Sequence, residues 1–273
     1  LPPVGHQHPE AGLVQRGSVA VTARLLEDVG GDVVRWVPLV ERLEDLAPDP
    51  TAGIDILDRA ASEITEPKDR VTLWRALRSQ LHRHREFPGV AWAMRREFVD
   101  RLGAIYDRLT PEDLVERYAW LFEADPELPE PSGEGWEADE RALDARRSAA
   151  ARELLASGDP NPIIESARRV ETAAHLGRAL YGAGLEEATL DALLEASLRS
   201  DDPRVRNLGH GLVLSAHAAR GDSWAAELLD RATRIGWGDT ALVTILLALP
   251  NQRSTWEHAA AIGSAVEQAY WKR

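Results

Sequence analysis

From Ser18 onward, apolar residues return every three or four positions, and that period confines most of the chain to helices. Val21, Leu25, Leu26 and Val29 form one stripe, and Val33, Trp36, Val37, Val40 and Leu43 form a second. Val71, Trp74, Leu77 and Leu81 mark a third helix. Phe98, Leu102, Ile105 and Leu109, spaced i, i+4, i+7 and i+11, mark a fourth. Strand-length alternation is scarce, and "ALVTILLAL", Ala241 to Leu249, is the one β-branched cluster bounded by turns. An all-α fold follows. Thr110 followed by Pro111, Glu112 and Asp113 supplies a cap, a first-turn proline and acids at the positive dipole end, so a helix is expected to start at about Pro111. Ser254 and Glu257 have capping-box spacing and are expected to begin the last helix.

Between Glu123 and Glu140 the run "EADPELPEPSGEGWEADE" is rich in acids, Pro and Gly and has no helical stripe. It is expected to be a linker or long surface loop. The implied division is a tail at 1–17, a first helical segment at 18–123, an acidic loop at 124–136 and a second helical segment at 137–273. "LVQRGS", Leu13 to Ser18, differs at one position from a common engineered protease site, so the tail carries no functional weight. The start at Leu1 fits a piece of a longer protein.

Two antiparallel helices joined by a tight turn are expected around "SDDPRVRNLGHGL", Ser200 to Leu212. Leu190, Leu193, Leu194 and Leu198 share a face before it, and Val205, Leu208, Leu212 and Ala216 share one after it. Asp202 is placed to cap the second helix, Pro203 fits its first turn, and Val205 opens its buried face. Asp202, Pro203, Val205 and Arg206 resemble the turn of the HEAT repeat family, best over residues 188–219. Gly209 stands where that family has a small residue. The acid which many such repeats carry six positions before the arginine is Ser200 here. "ASGDPNPIIESARRV", Ala156 to Val170, echoes the pattern loosely. The resemblance implies an irregular HEAT-like α-solenoid of stacked antiparallel hairpins that recognises its partner on a curved surface.

Chemistry is harder to find. With no cysteine, disulfides and thiolate sites are excluded. The eight histidines show no metal-ligand spacing. His82 and His84 point to different faces, His210 and His217 lie seven apart on one side of a helix, and Glu171 and His175 have i, i+4 spacing. Phosphate-binding loops, dinucleotide-binding glycines and the nucleophile elbow are all missing. No enzyme activity and no cofactor is expected. The most informative polar pattern is "RALRSQLHRHRE", where Arg75, Arg78, His82 and Arg85 fall at i, i+3, i+7 and i+10 as a basic stripe opposite Trp74, Leu77 and Leu81. Such a stripe suits an acidic segment or a phosphate-bearing ligand. Of the nine tryptophans, Trp36, Trp74 and Trp224 are expected in the core, and Trp92, Trp136, Trp237 and Trp271 in loops or near ends.

The net charge of −13 disfavours nucleic acid and anionic membranes, although 30 of the 32 basic residues are Arg. The absence of a membrane-length apolar run or a signal-like start points to a cytoplasmic location. The expected function is non-enzymatic binding of a protein, or of another domain of the same chain. Two other readings stand beside it. "LWRALRSQLHRHREFPGVAWAM" and "RLTPEDLVERYAWLF" resemble helical regions of large multidomain bacterial nucleotide-hydrolysing proteins, which implies a regulatory or sensor segment. A nucleic-acid-acting enzyme on a HEAT-like scaffold is the other.

Overall fold

A computed structural model describes residues 24, 26–43, 50–156 and 158–272. The expected tail at 1–17 and the stripe positions Val21 and Leu25 lie outside those residues. Among the described residues there are fourteen α-helices and no strand, so the chain is all-α. None of these helices is long and apolar enough to cross a membrane. The chain divides into two compact units, one of residues 1–112 and 127–139, the other of 113–126 and 140–273.

The first unit contains α1 (Val33–Val40), α2 (Thr51–Glu63), α3 (Pro67–Glu86) and α4 (Arg96–Arg108). Asp32 caps α1, its carboxylate accepting from the Val34 and Arg35 amides, and Trp36 is fully buried with its indole donating to the Gly30 carbonyl at 2.7 Å. Pro67 occupies the first turn of α3, where its missing N–H costs nothing, and Arg83, His84 and Arg85 sit in the last turn against the negative dipole end. Packing of α3 on α1 and α4 buries Leu73, Leu77, Leu81 and Leu102, and the Trp74 ring stacks on Tyr106 at 5.1 Å. The two stripes read in α3 and α4 are the ones that build this core.

The second unit begins with α5 (Leu114–Tyr118) and a 3-10 turn over Ala119–Phe122. The helix starts three residues later than the Thr110–Pro111 signal suggests, because Asp113 is extended and its carboxylate takes the Glu116 amide at 2.9 Å. Next come α6 (Trp136–Ala156), which belongs to this unit from Glu140 onward, α7 (Asn161–Arg169), α8 (Ala173–Gly182), α9 (Glu187–Leu198) and α10 (Pro203–Arg220). The unit ends with α11 (Asp222–Arg234), α12 (Asp239–Ala248), α13 (Arg253–Ile262) and α14 (Ser264–Trp271). "ALVTILLAL" lies mostly in α12, buried along most of its length. The capping-box reading also shifts: Gln252 is the α13 cap residue, Ser254 lies inside the helix, Glu257 pairs with Arg253 at 2.8 Å, and this is not the last helix, since α14 follows after Gly263.

Helix α10 is the centre of this unit, packing on α7, α8, α9, α11 and α12. Its start follows the sequence reading: Asp202 accepts from the Arg204 amide at 2.8 Å, Pro203 fills the first position, and Val205 is buried. In place of a carboxylate, the Arg206 guanidinium donates to the main-chain carbonyl of Ser200 at 2.7 Å. Gly209 abuts Ser197 and Leu198 of α9, while Gly177 and Gly211 let α8 and α10 touch backbone to backbone. Glycine costs about 1 kcal/mol relative to alanine inside a helix, and here close approach explains its use.

Candidate functional site

The acidic loop does not behave as a linker. Residues 127–139 belong to the first unit, and Glu127–Glu130 lies along α3, with Leu128 and Pro129 buried. The Ser79 hydroxyl donates to the Glu127 carboxylate, His82 Nδ1 donates to the Leu128 carbonyl at 3.0 Å, and Arg85 donates to the Pro129 carbonyl at 2.8 Å. Arg85 also lies 3.9 Å from the Glu130 carboxylate. Ser79, His82 and Arg85 are spaced i, i+3 and i+6, one helical turn apart, so successive turns of α3 meet successive residues of the segment. Two of the three contacts are to main-chain carbonyls, which reads an extended backbone; the glutamates add charge complementarity.

This changes the reading of the basic stripe. His82 and Arg85 belong to the face that holds the acidic segment. Arg75 is exposed. Arg78 is 6% exposed and its guanidinium lies 5.6 Å over the Trp74 ring, so it shares the Trp74 side of α3 instead of opposing it. Four residues separate Trp74 and Arg78, which puts them on the same face, and the buried aliphatic stem makes Arg78 part of the packing. Ser79, which makes one of the three contacts, had no signal in the charge pattern.

A second polar feature is a cleft of about 330 Å³ lined by Glu140, Asp144, Arg147 and Ser148 from α6 and by His175, Arg178, Ala179 and Gly182 from α8. The lining residues are spaced i, i+4, i+7, i+8 on one helix and i, i+3, i+4, i+7 on the other, so each helix contributes one face. Arg147 is fixed, its Nε donating to the Leu121 carbonyl at 2.8 Å and its Nη1 lying 3.5 Å from Asp144. Burial, followed by the Arg178 and Arg147 charges, pulls the His175 imidazole below its ordinary 6.5, with Asp144 opposing. His175 Nδ1 is buried without a hydrogen-bond partner. The i, i+4 spacing of Glu171 and His175 is not used for a pair: Glu171 precedes α8, and its carboxylate accepts from the Ala124 amide at 3.0 Å.

The remaining candidates separate. His217 meets Asp222 at 2.8 Å, while His210 has its own environment, half-buried beside the Thr244 main chain. Trp237 is 7% exposed, Trp224 is half-buried, and Trp136 and Trp271 are exposed at 73% and 56%. Among the described residues no group of three or more His, Asp or Glu is placed to hold a metal ion. No family model, curated protein or solved structure matches the chain.

Proposed function

We propose that this chain works by binding and not by covalent chemistry: it is an α-helical interaction domain whose α3 face holds an extended acidic segment of a protein or of another domain of its own chain. The observation that carries this reading is the register of Ser79, His82 and Arg85 against Glu127, Leu128 and Pro129. Helix faces that bond to consecutive main-chain carbonyls recognise extended peptide, and the flanking glutamates favour acidic sequences. In the second unit, the successive contacts of α8 with α10, α10 with α12 and α12 with α14 support a stack of helical hairpins, the rigid scaffold used by HEAT-like proteins for recognition. A scaffold of this kind supports binding only by analogy of fold, so the α3 register carries the weight.

The test uses the whole chain with its resident segment weakened by Glu127→Ser, Leu128→Ser and Pro129→Ser. A fluorescent peptide of the sequence EADPELPEPSGE, residues 123–134, is titrated into this variant and into the parent chain. Saturable binding to the variant, much weaker binding to the parent, and at least a tenfold loss on adding Arg85→Glu are expected. Circular dichroism checks that each variant keeps its helices. Failure of the folded variant to bind the peptide at millimolar concentration rejects the reading.

A further inference from the structure

We propose that the cleft between α6 and α8 is a binding site for a small ligand carrying an oxyanion, a phosphate or a carboxylate, gripped by Arg178, Arg147 and His175. The site is independent of the α3 face. Its walls are two helices, which hold side chains more rigidly than loops do, and Arg147 is further fixed by its bond to Leu121. Arg178 is exposed and, among the described residues, has no carboxylate within ion-pair distance, although the chain has a net charge of −13.

The local field favours an anion. The charges acting on the His175 ring are two guanidiniums, Arg178 and Arg147, against one carboxylate, Asp144. Asp144 is itself engaged by Arg147. Glu140, the other acid in the lining, is exposed and lies two helical turns, about 10 Å, along α6 from Arg147. It is placed to accept from a hydroxyl or amine on the far end of a ligand. His175 lines the cleft beside two cations, which is the arrangement an oxyanion completes: Nδ1 is closed off inside the protein, so the ring meets a ligand through Nε2–H, which donates to one oxygen while the guanidiniums take the others. A volume of about 330 Å³ limits the ligand to a small molecule.

The experiment follows the His175 ring resonances of the whole chain near neutral pH, while inorganic phosphate or succinate replaces sodium chloride at constant ionic strength. A saturable shift with either anion is expected. A response to phosphate alone identifies a phosphate site, and a response to succinate alone identifies a carboxylate site. Arg178→Gln should weaken binding about tenfold, while Arg234→Gln, which alters an exposed ion pair elsewhere, should leave it unchanged. Linear shifts with both anions, or identical titrations for the parent and Arg178→Gln, overturn the proposal.

Discussion

Gly211 of α10 rests directly against the backbone of Ala174 in α8, and a Cβ at position 211 would overlap the Ala174 carbonyl. Neither helix backbone can yield without moving the other, because Gly177 makes the reciprocal contact with Leu208 and Leu212. Gly211→Ala is therefore expected to destabilise the second unit by about 2–3 kcal/mol, the cost of overpacking a tight interface. At Gly182, the last residue of α8, the same change meets no atom within 4 Å. There alanine should be neutral, or stabilising by up to about 1 kcal/mol. Denaturant titrations of the two variants should therefore move in opposite directions, or at minimum differ by the overpacking cost.

The turn before α10 provides a second comparison. Asp202→Ala removes the acceptor for the Arg204 amide and should cost about 1 kcal/mol, while Asp202→Asn, which also caps, should cost little. Arg206→Ala removes the bond to the Ser200 carbonyl and should cost about 1.5 kcal/mol. Ser200→Ala leaves that main-chain acceptor in place but removes the hydroxyl that accepts from the Asp202 amide at 3.1 Å, so it should cost about 0.5–1 kcal/mol, less than Arg206→Ala. The two bonds are separable in the double variant: additive losses for Ser200→Ala and Arg206→Ala show that the carbonyl anchors Arg206, and a strongly non-additive pair shows that the serine side chain does.

The features legible in the sequence were local ones. Asp202, Pro203 and Val205 fix a helix start within four residues of chain, and the leucine faces of α9 and α10 are written at helical spacing. Where two local signals compete, reading is less secure: Thr110 and Asp113 both resemble caps, and only the conformation of Asp113 decides between them. The candidate sites were less legible because their halves are far apart. The carbonyl that meets His82 lies 46 residues further on, in a stretch whose composition suggests a linker. Arg147 and His175 come from different helices, so their proximity has no signature in either stretch.

Leu128 tests whether the acidic segment is structural in the first unit. Its side chain is 4% exposed. Leu128→Ala should therefore cost about 2–4 kcal/mol, as for other buried leucines. In a solvated linker the same change would stay within about 0.5 kcal/mol. Hydrogen exchange should also rise at residues 127–130 in Arg85→Ala, which loses the donor to Pro129.

Two histidines should make the second unit acid-sensitive. Burial is the main force lowering His175 and His210 below 6.5, assisted by Arg178 in both; Arg147 adds to this at His175, and a hydrogen bond to the Thr244 main chain opposes it at His210. As pH falls through 6.5, the unfolded chain takes up protons at these positions before the folded chain does. Folded stability is then fully present above 6.5 and declines until the lower folded pKa values are passed. The melting temperature of the parent should fall as pH is lowered from about 8 to about 5.5. His175→Gln and His210→Gln should each flatten that dependence, and the double variant should flatten it most. Parallel profiles for parent and double variant would show that other groups govern the acid response.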